Sequence, residues 1–147
     1  EHDLSAPLNM HMMVCATFDL MCSTSFDRAE LGALREIVWM AQSMGRIGNL
    51  VTTWQRELHE GDFTSGVYAR AVSCRDLSSE MLRHGDPAEI ERVILENRHE
   101  DFFLNRWQTN RQQILASRAR FREFDVAKLV AGLDRLICLH LGSRGSK

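Results

Sequence analysis

Residues 46–60 read RIGNLVTTWQRELHE and lie within the longest helical pattern of the chain. With Asn49 placed at zero and about 100° per residue, one arc of this helix collects five polar side chains, those of Arg46, Asn49, Thr53, Arg56 and Glu57. The opposite side is apolar and holds Ile47, Val51, Trp54 and Leu58. The pattern predicts a helix that buries one face in a core and carries a polar strip on the other.

This helix has start and stop signals in the sequence. Asp27 followed by Glu30 predicts a capping box, in which the Asp accepts from a backbone N–H and the Glu reaches back. Gly61 predicts an end near Glu60, because glycine readily adopts the left-handed conformation that closes a helix. We therefore expect a helix of about 30 residues, about 45 Å long.

Four further helices are predicted along the chain. The methionine-rich segment 8–21 is largely apolar and predicts a helix buried on most sides, ended by the serines at 23–25. Another helix is expected at about 65–83. The sequence Asp-Pro-Ala-Glu at 86–89 is a strong start signal for a second long helix, reaching about residue 118. Asp125 predicts the N-cap of a last helix, with Gly142 as its end.

Strand signals are nearly absent, so the predicted fold class is all-α. A chain of 147 residues that is 44% hydrophobic can build one core, and helices of about 30 residues suit a large antiparallel helical bundle. The four cysteines form no C-x-x-C pair, and we expect them to be buried thiols. The three tryptophans, Trp39, Trp54 and Trp107, are expected to be packing anchors.

The charge and the hydropathy pattern exclude several partners. The formal net charge is −2, so the chain has no positive excess with which to hold a nucleic acid backbone. No apolar run approaches the 18 or so residues of a membrane helix, and no secretory signal is visible. We expect a cytoplasmic protein that binds neither nucleic acid nor membrane.

The polar strip of residues 46–57 has two interpretations. It could be a solvated helix face, in which an Arg–Glu pair contributes about 0.2–0.5 kcal/mol. Alternatively, the amide oxygen of Asn49, the hydroxyl of Thr53 and the carboxylate of Glu57 could supply three oxygen ligands to one divalent cation. Magnesium suits such a site, because it fills its remaining positions with water and phosphate oxygens.

The strip resembles the second metal-binding motif of class I terpene synthases, written (N/D)-D-(L/I/V)-x-(S/T)-x-x-x-E. Residues 49–57 read NLVTTWQRE and match its three metal ligands, Asn49, Thr53 and Glu57, together with the basic residue that often precedes the Glu. Leu50 replaces the usual acid at the second position. The flanks at 46–49 and 60–63 resemble the bacterial members, especially those related to diterpene synthases.

The C-terminal segment 124–147 resembles the last helix and basic tail of the same family. The resemblance implies that Arg46, Arg56, Arg144 and Lys147 contact diphosphate, and that Phe18, Met21 and Cys22 line the substrate cavity. Plain core packing is the simpler interpretation of those three cavity residues. Asp19 lies on the same apolar helix, and a carboxylate there needs a partner or solvent.

The resemblance covers only the C-terminal half of the family's single helical domain. The family's other metal site is an aspartate-rich motif well over a hundred residues upstream, whereas 48 residues precede Asn49 and the chain has no Asp-Asp pair. A complete site uses three Mg²⁺ ions, of which this chain would hold one. We expect residues 1–147 to be inactive alone and to need the N-terminal half, present either as a missing segment or as a second chain.

The implied activity is that of a lyase of isoprenoid biosynthesis. It would ionise a prenyl diphosphate, with C20 favoured by the flanks, release diphosphate and cyclise the carbocation; a homodimer is compatible with this. The alternative is a non-catalytic helical bundle that mediates protein association and displays a charged helix face. The sequence His99-Glu100-Asp101 is an acidic patch that could also be interpreted as a metal site, but it lacks a helical i, i+4 partner set. The six histidines show no ligand spacing, and scattered surface or capping roles are expected for them.

Overall fold

A computed structural model describes residues 10–144, which form a bundle of seven α-helices and contain no β-strand. The helices are α1 (Met12–Cys22), α2 (Leu31–Glu60), α3 (Gly66–Ser73), α4 (Ser79–His84), α5 (Pro87–Glu96), α6 (His99–Ala116) and α7 (Val126–Gly142). Two short 3-10 turns, Arg28–Glu30 and Ser117–Arg120, precede α2 and follow α6. The predicted all-α class and bundle architecture are confirmed.

Helix α2 is the central element of the bundle, and α1, α6 and α7 pack along it. Its predicted apolar face is confirmed, since Ile47, Val51 and Trp54 have no exposed surface and Leu58 exposes 3%. The predicted end is also confirmed, because Gly61 adopts a left-handed φ of 72° and its N–H bonds to the carbonyls of Glu57 and Leu58. The apolar face therefore fixes which side of α2 carries the polar strip.

The predicted capping box before α2 is only half formed. Asp27 Oδ1 accepts a hydrogen bond from the backbone N–H of Ala29 at 2.9 Å, and a 3-10 turn separates it from α2. Glu30 does not reach back; its Oε1 accepts instead from the backbone N–H of Arg122 at 2.8 Å. The Glu30 side chain is buried and ties the start of α2 to the segment before α7.

The prediction of one helix at 65–83 is wrong, because two short helices occupy this segment. Helix α3 ends at Ser73, and Arg75 adopts a left-handed φ of 66°. Ser78 then caps α4 by accepting from the N–H of Met81 at 3.0 Å. The turn between them places Leu77 in the core with 3% exposure, and this burial favours the turn over a continuous helix.

The prediction of a second long helix, from residue 87 to residue 118, is also wrong, although the predicted start is confirmed. Asp86 Oδ1 accepts from the N–H of Ala88 at 3.1 Å, but α5 ends at Glu96. The side chain and backbone N–H groups of Asn97 both bond to the carbonyl of Val93, and Arg98 takes a left-handed φ of 53°. Asn97 thus competes for the helical hydrogen bonds, and α6 begins as a separate helix at His99.

Helix α1 ends before the serines at 23–25 as predicted, but the prediction that it is buried on most sides is wrong. None of its residues is buried, and Phe18 and Met21 expose 62% and 76% of their surface. Its one inner face packs against α2 through Met12, Met13, Ala16 and Leu20. The remaining apolar side chains of α1 face outward because none of the other described helices packs extensively on that side.

The prediction of buried thiols is wrong as well, since Cys15, Cys22, Cys74 and Cys138 are all exposed and free. On α7, for example, Val126, Val130 and Leu133 form the buried face, and Cys138 does not lie on that face. Trp54 and Trp107 are confirmed as buried anchors, whereas Trp39 exposes 37% of its surface. No helix within residues 10–144 is both long and apolar enough to cross a membrane.

Helix α7 begins as predicted and approaches α2 closely at one point. The Asp125 carboxylate accepts from the N–H of Lys128 at 2.9 Å. Further along, a Cβ placed on Gly48 would lie 2.9 Å from Cδ2 of His140 and 3.4 Å from Cδ1 of Ile137. Glycine at position 48 therefore lets α7 lie directly against α2 beside the polar strip.

This close approach gives a prediction on stability. Gly48→Ala is expected to lower the free energy of unfolding by about 1–3 kcal/mol relative to Gly132→Ala, because its methyl group must displace His140. Gly132 lies on α7 with no atom within 4 Å of its Cβ position, so Gly132→Ala gains only helix propensity. Urea denaturation of the two variants makes the comparison; equal stabilities would contradict the packing of α7 on Gly48.

Candidate functional site

Three residues of the polar strip of α2, Asn49, Thr53 and Arg56, open onto a cleft of about 700 Å³ between α2, α5 and α7. All of the lining side chains are polar: Asn49, Thr52, Thr53, Gln55, Arg56, His59, Glu60, Glu91, His140 and Ser143. The strip therefore faces neither a closed apolar cavity nor a flat surface. A cleft with this lining suits an ionic or strongly polar ligand.

Asn49 and Thr53 are half-buried at the wall of the cleft. Asn49 Oδ1 accepts a hydrogen bond from Nη1 of Arg46 at 2.8 Å. The Thr53 hydroxyl donates to the backbone carbonyl of Asn49 at 3.0 Å. Each of these two side-chain oxygens retains a lone pair, so both remain able to act as metal ligands.

The two arginines of the strip lie on either side of Asn49 along the helix. Arg46 is half-buried and bonded to Asn49, whereas Arg56 lines the cleft and exposes 42% of its side chain. Nε of Arg56 lies 3.4 Å from Oε1 of Glu60, one turn further on, which also lines the cleft. The Arg56 charge is therefore only weakly engaged at the cleft, since an exposed pair of this kind contributes little.

Glu57 is half-buried but does not line the cleft. Its negative charge is close enough to act on Tyr68 of α3. Burial raises the pKa of the Tyr68 phenol far above its ordinary value, and the negative charges of Glu57, Asp62 and Glu91 raise it further. To join Asn49 and Thr53 on one cation, the Glu57 carboxylate has to turn toward the cleft.

Arg144 has partners at the end of α7, outside the cleft. Its Nη2 lies 3.0 Å from Oε1 of Glu100 and donates to the backbone carbonyl of Val51. The same Glu100 oxygen accepts from the indole N–H of Trp54. Arg144 therefore ties the end of α7 to α2 and α6, and a contact with diphosphate would require it to leave Glu100. Lys147 lies outside the described residues.

The predicted cavity residues Phe18, Met21 and Cys22 are not brought together with the polar strip. The N–H of Met13 bonds to Oε1 of Gln42 at 3.2 Å, and Met21 shares a surface groove with Leu31. The end of α1 therefore lies beside the start of α2. Leu31 and Asn49 are 18 positions apart on the helix, a rise of about 27 Å.

Sequence reasoning missed the cleft residues that other helices supply. Oε1 of Glu91, on α5, accepts from the side-chain amide of Gln55 at 2.6 Å, His140 comes from α7, and Ser143 is the C-cap residue of α7. Their positions depend on how α5 and α7 pack, for which the sequence carries no local signal. On α2 itself, Glu60 lies on the same arc as Asn49, so the helical pattern could have identified it.

The donor set is compatible with magnesium. Asn49, Thr53 and Glu57 offer only oxygen ligands, which this cation prefers, and the two arginines beside them can balance the charge of a phosphate ligand. Comparisons with protein families, with curated proteins and with solved structures find no match to this chain. The sequence motif and the geometry of the cleft are therefore the two grounds on which a function can be proposed.

Proposed function

We propose that this chain is the C-terminal half of a class I terpene synthase domain and contributes one of its three magnesium sites. The observation that carries the proposal is the match of residues 49–57 to the family motif on a helix face that opens onto a polar cleft. Asn49, Thr53 and Glu57 are the proposed metal ligands. The substrate is a prenyl diphosphate, with C20 as the favoured chain length.

Each residue of the strip has a defined part in this proposal. Asn49 and Thr53 hold the cation at the cleft wall. Glu57, one helical turn further along α2, supplies the third ligand oxygen. Arg56, and Arg46 after it releases Asn49, donate hydrogen bonds to the diphosphate oxygens. When bound, Mg²⁺ would stabilise the negative charge that develops as the carbon–oxygen bond to diphosphate breaks.

The exposed apolar face of α1 is compatible with a further part of the bundle. Val14, Phe18 and Met21 expose 51%, 62% and 76% of their surface, and together they form one unpacked patch. In the proposed enzyme this patch would pack against the N-terminal half or line the hydrocarbon cavity with it. The same half would bring the aspartates that hold the other two magnesium ions.

The alternative is a non-catalytic bundle that needs neither magnesium nor diphosphate. The exposed Arg56–Glu60 pair suits such a solvated face, but Asn49 and Thr53 lie half-buried at a cleft. Calorimetric titration separates the two hypotheses, with inorganic diphosphate added to the protein in the presence and absence of Mg²⁺. The enzyme proposal predicts Mg²⁺-dependent binding that Glu57→Ala weakens about tenfold or more.

Glu96→Ala is the matched control for that titration, because Glu96 is an exposed helix carboxylate that pairs with Arg92 on α5, outside the cleft. Its affinity for Mg²⁺ and diphosphate should equal that of the unchanged protein. The absence of Mg²⁺-dependent diphosphate binding, or binding that Glu57→Ala leaves unchanged, would contradict the enzyme proposal and favour the non-catalytic bundle.

A further inference from the structure

A second group of ligand-type side chains lies outside the polar strip, where the turn after α3 meets the start of α6. The Sγ of Cys74, a carboxylate oxygen of Asp76 and an imidazole nitrogen of His99 all lie within 4.8 Å of one another. Nε2 of His99 is 3.1 Å from Oδ2 of Asp76. No other such group of three or more His, Cys, Asp or Glu side chains occurs in residues 10–144.

His99 is the buried member of the group, and its Nε2 has no hydrogen bond. The residue exposes 4% of its surface, yet the nearby Asp76 oxygen is not aligned to make a hydrogen bond with this nitrogen. Buried polar atoms in native proteins almost always have a partner. Nε2 therefore has the Asp76 carboxylate close by but no aligned hydrogen-bond partner among the described residues.

The imidazole of His99 is a ligand type that zinc takes readily. A neutral imidazole offers Nε2 as a lone-pair donor. The Arg70 guanidinium is held above the ring of Phe102, 4.3 Å from its centre.

We propose that Cys74, Asp76 and His99 form a zinc site, with water as the fourth ligand. Sulfur, nitrogen and oxygen donors in one set are typical of zinc and unlike the all-oxygen sets that magnesium takes. Tetrahedral zinc with ordinary bond lengths places its ligand atoms about 3.3–3.8 Å apart. The distance from His99 Nε2 to Asp76 Oδ2, 3.1 Å, is already close to this range. The exposed side chain of Cys74 can rotate to bring its Sγ to the same spacing.

The charges of the proposed site balance. Binding converts the Cys74 thiol to a thiolate and releases its proton to solvent, as zinc requires of a cysteine ligand. The thiolate and the Asp76 carboxylate together neutralise the two positive charges of the ion. Arg98, next to His99, lies 2.5 Å from the Asp101 carboxylate and so already has its own counter-charge.

The site would connect the two helix breaks that interrupt the predicted long helices. Cys74 and Asp76 flank the left-handed Arg75, and His99 follows the left-handed Arg98. A metal bound to all three residues would fasten the α3–α4 turn to the first residue of α6. Zinc binding should therefore raise the stability of the folded protein, because the unfolded chain does not hold these ligands together.

The test is titration of the purified protein with ZnCl₂ and, separately, with CoCl₂ as a spectroscopic substitute. We expect one zinc per chain, a higher melting temperature with zinc than with Mg²⁺, and a thiolate-to-cobalt absorption band. Cys74→Ser should abolish that band, and Cys74→Ser and Asp76→Asn should each weaken zinc binding at least about tenfold. Cys138→Ser is the matched control, because Cys138 is an exposed thiol on α7 and should have no effect.

Several outcomes would overturn the site. These are the absence of stoichiometric zinc binding, binding that survives both Cys74→Ser and Asp76→Asn, or an equal loss in Cys138→Ser. His99→Asn tests the third ligand if this variant folds. If it does not fold, Cys74→Ser and Asp76→Asn are sufficient to test the site. The result is independent of the proposed terpene synthase function, which rests on other residues and another metal.

Discussion

Glu57→Ala is expected to lower the rate of diphosphate release from geranylgeranyl diphosphate at least about 100-fold in the full-length protein with Mg²⁺. A metal that stabilises a leaving group contributes several kcal/mol to the transition state, and each 1.4 kcal/mol is about tenfold in rate. Removing the only carboxylate of the proposed ligand set leaves two neutral oxygens, which hold the cation weakly. The measurement is a coupled diphosphate assay at saturating Mg²⁺.

Two controls make this result specific to the proposed ligand. Glu96→Ala, on the exposed side of α5, should release diphosphate at the unchanged rate. Far-ultraviolet circular dichroism of both variants should show the same helix content as the unchanged protein. Equal rates for Glu57→Ala and the unchanged enzyme would refute the metal role of the motif.

Trp54→Ala is expected to lower the free energy of unfolding by about 3–5 kcal/mol, more than any other substitution proposed for this chain. The side chain has no exposed surface, and its ring lies edge-on to Tyr68 with 6.3 Å between the ring centres. Its indole N–H also donates to Glu100, which is only 14% exposed and binds Arg144. The substitution leaves a cavity beside α2 and removes the hydrogen bond that positions Glu100.

Chemical denaturation monitored by circular dichroism measures this loss. Trp39→Ala serves as the comparison, because Trp39 lies on the same helix but exposes 37% of its surface. Its cost should be less than half that of Trp54→Ala. Similar losses for the two variants would contradict the central position of Trp54 in the core.

The central helix could be predicted from sequence because its evidence is local. The apolar row of Ile47, Val51 and Trp54 repeats with the helical period, and Gly61 marks the end. Asp86 and Asp125 likewise predict the starts of the helices that follow them, and both cap their helices in the structure. These features need no knowledge of the rest of the fold.

The two helix breaks could not be predicted in the same way. Arg75 and Arg98 are left-handed, a conformation that arginine rarely adopts without support from its surroundings. Burial of Leu77 and His99 supplies that support, and it depends on the packing of α3 and α6 on α2. The exposed face of α1 was missed for a related reason, since composition does not show whether another element covers an apolar helix.

The candidate site was predictable only along α2. Helical geometry places Asn49, Thr53 and Arg56 on one arc, and the structure sets all three at the cleft. Glu91, His140 and Ser143 reach the cleft from elements distant in sequence. The engagement of Arg144 with Glu100 and the absence of Glu57 from the cleft wall are tertiary details that a linear motif does not contain.

The location of the metal is the most direct test of the central claim. Crystals of the full-length protein grown with diphosphate and Mn²⁺, in place of Mg²⁺, would locate the ion by anomalous scattering. We predict one peak within bonding distance of Asn49 Oδ1, Thr53 Oγ1 and a Glu57 carboxylate oxygen, with the diphosphate beside Arg56. Bound diphosphate and manganese with no ligand from these three residues would contradict the account.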